Sequence, residues 1–223
     1  MDDALELSQS MQSPFVVLAD AQTQGRGRYQ REWTSPKGNL YMTLAWHLSE
    51  ETPLNFLPLI FGLVLVRVME NMGIEAVLKW PNDVLIQGAK VGGILMEKHE
   101  DLMLCGIGLN VVSAPENTPY PATFMGAVTG QPPSTQDLVQ EILEQLDQVC
   151  AHYTLQGSTW VISQWEQHRW AENNLRLNLP GGVVIKGIYQ GLSPDGAITI
   201  RDQETQKLRT IMTADVFAGC SSD

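Results

Sequence analysis

Residues 76–112 read AVLKWPNDVLIQGAKVGGILMEKHEDLMLCGIGLNVV. Apolar and β-branched side chains fall here in short runs, and turn-forming residues separate them. Ala76–Lys79, Val84–Gln87 and Val91–Lys98 are predicted as strands. Pro81 disfavours helical backbone at Trp80, and Gly88-Ala89 supplies a turn between the second and third runs. Leu102–Val112 reads as a further strand, interrupted by Gly106 and Gly108.

Upstream, Phe56–Met72 carries apolar residues at three- and four-residue spacing and predicts a largely buried helix stopped near Gly73. Leu40, Met42, Leu44, Trp46 and Leu48 alternate, as in a strand with one buried face. Residues 21–37 are polar and read as a long loop, Phe15–Ala19 as a buried strand, and the segment from Ala4 to Met11 as a short amphipathic helix. Downstream, residues 113–134 are proline-rich and read as a linker. Asp137–Tyr153 places Leu138, Val139, Ile142, Leu146 and Val149 on one helical face. Ser158 is a candidate N-cap for another helix holding Trp160, Ile162 and Trp165. From residue 178 the character changes. Val183–Tyr189, Ala197–Arg201 and Lys207–Met212 form a small all-β module, which is marginal alone and is expected to pack on the rest.

The chain has 223 residues, 43% hydrophobic and 17% charged, which suits one substantial core with a small appended module and argues against disorder or coiled coil. The apolar stretch Leu54–Val66 is interrupted by Asn55 and Pro58 and is short for a bilayer span. The first residues lack a basic region leading into an apolar one, as a secretory signal would have. Cys105, Cys150 and Cys220 have no close pair, which fits a reduced cytoplasmic chain. A net charge of −11 disfavours a global grip on nucleic acid or anionic membrane. Yet Arg26, Arg28, Arg31, Lys37, Lys79, Lys90 and Lys98 place half of the fourteen basic residues in two short windows. Either these cations bind a small anion or they share solvated loops.

Three stretches carry chemistry. In residues 22–33, QTQGRGRYQREW, arginines alternate with glycines between two strands. Glycine lets backbone approach a ligand, guanidinium groups fork onto carboxylate or phosphate, and Trp33 offers a stacking face. In Lys79-Trp80-Pro81-Asn82-Asp83, with Lys90 and Gly92-Gly93 downstream, Asn82 suits a base edge, while Asp83 and Glu97 are oxygen ligands suited to magnesium. Asn82 and Asp83 otherwise only shape the turn. Gly106-Ile107-Gly108-Leu109-Asn110 lets a strand pass close to a ligand, or marks a bulge.

Taken in order and spacing, these motifs resemble the biotin–protein ligases, also called biotin–acetyl-CoA-carboxylase ligases. The resemblance rests on Gln22, the Gly25-Arg26-Gly27-Arg28 loop with Arg31 and Trp33, Ser35, and Gly38-Asn39-Leu40-Tyr41. It continues with Lys79–Asp83, Lys90 with Gly93-Ile94-Leu95 and Glu97, and Gly106–Val111. It implies an α+β catalytic domain with a mainly antiparallel sheet, similar to class II synthetases and lipoate ligases, over residues 1–177. A small SH3-like barrel is implied over residues 178–223. The implied reaction joins biotin and magnesium-ATP into biotinyl-5′-adenylate, then passes biotin to a lysine of a biotin carboxyl carrier protein of acetyl-CoA carboxylase. Arg28 and Lys90 are implied as catalytic. Gln22, Gly25, Arg26, Gly27, Arg31, Trp33, Gly93 and Leu95 are implied, with those two, around biotin and its adenylate. Trp33, Asn82 and Asn110 are implied at the nucleotide, and Asp83 at magnesium. The family's N-terminal DNA-binding helix-turn-helix has no counterpart in this sequence, so no DNA partner is expected; the net charge disfavours a membrane partner, and the family leaves a homodimer open. A lipoate ligase and a non-catalytic biotin-binding homologue are the competing readings.

The chain departs from the family pattern in three places. Met1-Asp2-Asp3-Ala4-Leu5 matches the segment just after the family's Ser-Thr strand, so either the natural start lies upstream, as is expected, or the chain lacks part of its biotin pocket. Tyr29-Gln30 stands where a basic-Gly pair is usual. Thr213–Phe217 is a divergent version of the family's ending.

Overall fold

The structure is a computed structural model and describes residues 1–49, 54–116 and 118–219. The 76–112 segment folds into four antiparallel strands, β3 (Val77–Lys79), β4 (Asp83–Ile86), β5 (Ala89–His99) and β6 (Leu102–Leu109). Two strands precede them, β1 (Phe15–Ala19) and β2 (Leu40–His47). The six form one sheet in the order β1-β2-β6-β5-β4-β3. The β4–β5 turn is Gln87-Gly88, one residue earlier than expected. Both take left-handed backbone, φ 50° and 79°, the geometry of a tight hairpin whose twist matches its strands.

Two expectations about strands change. β6 is not interrupted at Gly106 or Gly108. It pairs without a break from Leu102 to Leu109 with β2 on one side and, over the same residues, with β5 on the other. Glycine keeps its N–H and C=O, so a strand held from both sides stays in register. β2 is buried on both faces from Leu40 to Ala45 rather than on one. Helix α1 (Asp2–Leu7) lies beside it, with Ala4 and Ala45 buried together in a small cluster. β1 is half-buried as an edge strand, and Leu18 is 52% exposed.

Helix α2 (Leu57–Asn71) is buried around most of its circumference, because it packs against the sheet and against α4 (Thr135–Gln167). The stretch Leu54–Asn71 is long and apolar enough to cross a membrane by length and composition alone, and two thirds of it is buried in this core. Gly157 breaks α4 with φ 70° and ψ −165°, so the two helices expected here meet end to end. The linker holds one short helix, α3 (Met125–Thr129), too brief to announce itself by periodicity and closed by left-handed Gly130. Residue 117 of that linker lies outside the described residues.

A second antiparallel sheet is built of β7 (Asn174–Asn178), β8 (Val184–Leu192), β9 (Ile198–Asp202), β10 (Leu208–Ile211) and β11 (Asp215–Ala218), in the order β10-β9-β8-β7-β11. β7 and β11 add to the three strands expected. The chain leaving α4 runs beside β3, with Leu78 N–H donating to His168 O and Trp170 N–H donating to Leu78 O. Trp80 Nε1 donates to Gly196 O at 3.1 Å in a buried contact. One hydrophobic cluster extends from α2 to Leu177, Ile200 and Val216, so the second sheet shares the core of the first.

Asn39 anchors the start of β2. Its side-chain oxygen accepts the N–H groups of Val111, Val112 and Ser113 at 2.8, 2.9 and 3.3 Å, and its Nδ2 donates to Ser113 O. Only 3% of Asn39 is exposed. Removing such a group strands buried donors, at about 1–3 kcal/mol for each group left unpaired. Asn39→Ala is expected to lower unfolding free energy by about 3 kcal/mol, measured by urea titration. Asn39→Asp, which keeps the acceptor, is expected to lose less.

Candidate functional site

A cavity of about 470 Å³ lies over β2, β5 and β6, bounded by residues 21–33, the β3–β4 turn, Tyr120 and the Asp215–Phe217 edge of the second sheet. That volume suits an organic ligand of cofactor size. Glycines make its floor. A Cβ at Gly108 would lie 2.7 Å from the Trp33 indole, and one at Gly93 would lie 3.4 Å from it. Trp33 therefore packs against backbone that side chains would cover. Its Nε1 is buried without a hydrogen-bond partner among the described residues.

The 21–37 loop is zipped at its base. Trp33 N–H donates to Gly25 O, Gly27 N–H donates to Arg31 O, and Gln22 Nε2 donates to Ser35 Oγ. A Cβ at Gly25 would come 2.3 Å from Trp33 O, so this glycine closes the loop base and does not line the cavity. At the tip, Tyr29 and Gln30 both adopt left-handed backbone, φ 56° and 58°. This is the position where the sequence departs from a basic-Gly pair, and glycine would hold the same shape without strain.

The three loop arginines are engaged differently. Arg26 turns to the first sheet. It donates to Glu97 at 2.8 and 2.9 Å and to Asp2 at 2.8 and 2.7 Å. The guanidinium holds both carboxyls below the usual carboxylate range. Arg28 turns to the second sheet, donating to Ala214 O at 3.0 Å and Thr213 Oγ1 at 2.6 Å, with Asn82 Oδ1 at 3.5 Å. Arg31 pairs with Asp215 at 2.8 Å, and Arg28 lies 3.6 Å from the same carboxylate.

Lys90 is the second residue of β5 and is held on both sides. Its residue pairs with Leu85 of β4, while its N–H donates to Pro121 O and its C=O accepts from Thr123 N–H. That fixes Nζ 2.6 Å from Asp83 Oδ1, with the Trp33 and Tyr120 rings 5.2 and 5.6 Å away. Asn82 Nδ2 donates to Ile94 O and so fixes its own turn, while the residue still borders the cavity.

Gln22, Arg26, Gly27, Arg28, Arg31, Trp33, Asn82, Asp83, Lys90, Gly93 and Leu95 all reach this cavity. Asn110 does not. It is 3% exposed, and its Nδ2 donates to Thr123 O, tying β6 to the linker. Sequence reasoning passed over Lys79, Tyr120 and the Asp215–Phe217 edge. Lys79 stood inside a motif already singled out; the others come from segments read as linker and module, which only folding brings here. Burial holds the Lys79 ammonium below its ordinary pKa. At this end, four cations (Arg28, Arg31, Lys79 and Lys90) face the carboxylates of Asp83 and Asp215. The surplus of positive charge suits a multiply charged anion.

The described residues contain no group of three His, Cys, Asp or Glu side chains placed to hold a metal, and Asp83 is already paired with Lys90. Cys105 is buried and free, Cys150 is free, and Cys220 lies outside the described residues.

The sequence profile of the biotin/lipoate A/B protein ligase family matches residues 2–110. A bifunctional ligase/repressor BirA of Bacillus spizizenii is 32% identical over 92% of this chain, and the chain spans 66% of that relative's length. A biotin–acetyl-CoA-carboxylase ligase of Paracoccus denitrificans is 29% identical, with 97% of this chain and 95% of the relative covered. Among solved structures, a biotin protein ligase from Aquifex aeolicus in complex with biotin and ATP superposes with a TM-score of 0.86. It is 28% identical, with 96% and 94% of the two chains covered.

Proposed function

The chain belongs to the biotin/lipoate A/B protein ligase family, and we propose that it is a biotin–protein ligase that makes biotinyl-5′-adenylate and transfers biotin to a carrier lysine. The observation that carries this is the convergence of Arg28 and Lys90 on one glycine-floored cavity, beside two more cations and an indole.

The first step brings two anions together. A biotin carboxylate oxygen attacks the α-phosphorus of ATP, the bond to the β-phosphate oxygen breaks, and diphosphate leaves with that electron pair. Lys90 and Arg28 offset the repulsion and hold the reacting atoms in line. Both are engaged in this structure, Lys90 by Asp83 and Arg28 by the 213–215 turn. In this proposal the ligand replaces those contacts. Gln22, Gly27, Arg31, Gly93 and Leu95 surround biotin and its adenylate, Gly25 and Arg26 hold the loop there, and Trp33 and Asn82 flank the nucleotide. In the second step the neutral amine of a carrier lysine attacks the acyl carbon, AMP leaves, and the amine releases a proton. Loop 21–37 keeps water from the mixed anhydride. Magnesium is read as part of the nucleotide substrate and enters with it.

In this reading the catalytic part, expected over residues 1–177, ends before β7 (Asn174–Asn178), which pairs into the second sheet, and the SH3-like module, expected over residues 178–223, begins with β7. The partner is a biotin carboxyl carrier domain, and the setting is the cytoplasm. Biotin-dependent diphosphate release from magnesium-ATP tests it, with lipoate as control and carrier labelling as the second readout. Release with biotin alone, and then carrier labelling, is expected. Release with lipoate instead would make the chain a lipoate ligase, and biotin binding without release would make it a non-catalytic homologue.

A further inference from the structure

Lys79 closes β3 and pairs across the turn with Asp83. Its Nζ lies over two aromatic faces, 5.2 Å from the Phe217 centroid and 5.5 Å from that of Trp170. It borders the cavity beside Asp215 and Phe217. Arg28, Arg31 and Lys90 each lie within 4 Å of a carboxylate oxygen, whereas no ion pair to Lys79 occurs among the described residues. Asp83 and Asp215 act on it only at longer range.

Aromatic faces stabilise an ammonium without occupying its N–H donors in directed hydrogen bonds. A half-buried cation so held meets a desolvation cost that an incoming anion would offset. Its position narrows the choice of anion. Lys90 stands against Trp33, over the glycine floor where carboxylate and α-phosphate meet in the proposed reaction. Lys79 stands at the edge of the second sheet, beside Phe217 and Asp215.

We propose that Lys79 binds the β- and γ-phosphates of ATP and stabilises the departing diphosphate, an assignment that rests on the adenylating activity proposed above. As the bond between α-phosphorus and bridging oxygen breaks, its electron pair stays on the diphosphate. The Lys79 ammonium sits beside that growing charge and neither gains nor loses a proton. The role is confined to the first half-reaction, because diphosphate has left before the carrier lysine attacks.

This confinement is the test. Lys79→Met keeps an unbranched stem against Trp170 and Phe217 and removes the charge. Expected are a fall of about 100-fold in biotin-dependent diphosphate release, a raised KM for ATP, and weaker inhibition by inorganic diphosphate. Transfer from pre-formed biotinyl-adenylate to the carrier is expected to stay within about twofold. Lys79→Arg is expected to retain most of the first half-reaction. Equal losses in both half-reactions would make Lys79 a structural link between the sheets and overturn the proposal, as would an unchanged first half-reaction. If Lys79→Met does not fold, Lys79→Gln read against Lys79→Arg decides the same question. Should the unsubstituted chain release no diphosphate with biotin, the proposed function itself falls.

Discussion

Lys90→Ala is expected to lower biotin-dependent diphosphate release by about 10³-fold, with little change in unfolding temperature. Removing one preorganised charge from a site of developing negative charge costs about 10² to 10³ in rate. This substitution does more, because it also strips Asp83 of its 2.6 Å partner. An uncompensated carboxylate would then face two anionic substrates at short range, in surroundings where charges interact more strongly than in water. A second substitution separates the two contributions. Asp83→Asn in the Lys90→Ala background removes the repulsion and is expected to recover about tenfold of the lost rate. A double variant no faster than Lys90→Ala would show that Asp83 exerts no repulsion. A single variant as active as the parent would remove Lys90 from the mechanism. The backbone at residue 90 is held by main-chain bonds to Pro121 and Thr123 and lies in register with Leu85 of β4, so truncating the side chain leaves the strand in place.

The strands of the first sheet were legible because alternation and turn residues are local signals, and 76–112 contains both. Glycine was the exception. Gly106 and Gly108 looked like interruptions because a missing side chain carries no pattern, and the indole that makes Gly108 necessary lies 75 residues earlier in the chain. β7 buries only Leu175 and Leu177 and β11 only Val216, so their apolar pattern is slight, and each is held by strand pairing. The site divides in the same way. The identities of Arg28, Lys90, Trp33 and Asn82 as cavity residues were readable from motif order. Their contacts were not, since Thr213, Ala214 and Asp215 are distant in sequence. Asn110 carried the same motif signal, yet its amide serves the backbone at Thr123. A motif marks residues that matter without separating those that face a ligand from those that shape its container.

Arg26 makes that distinction testable. Its guanidinium makes four short bonds to Glu97 on β5 and Asp2 at the start of α1, and so pins the loop base and the first helix to the sheet. Arg26→Ala is expected to lower stability by about 2 kcal/mol, the scale of hydrogen bonds to a charged group. Glu97 supplies most of it, because Asp2 is 63% exposed and its pair is screened. Biotin KM is expected to rise about tenfold through loosening of the cavity wall, and the loop should become easier to cleave by protease. Because the arginine acts through its partners, Glu97→Gln should reproduce most of the effect, and adding Arg26→Ala to it should cost little more. The acid response has a definite sign. Both carboxyls titrate below their ordinary values of 4.5 and 3.8 in the folded chain, so the pairing contributes fully above those values. It is lost as pH falls through the depressed values. The stability gap between parent and Arg26→Ala should therefore be widest near neutrality and close in acid. A gap independent of pH would remove the carboxylates from the account. A full further rise in biotin KM when Arg26→Ala is added to Glu97→Gln would make Arg26 a direct ligand contact instead.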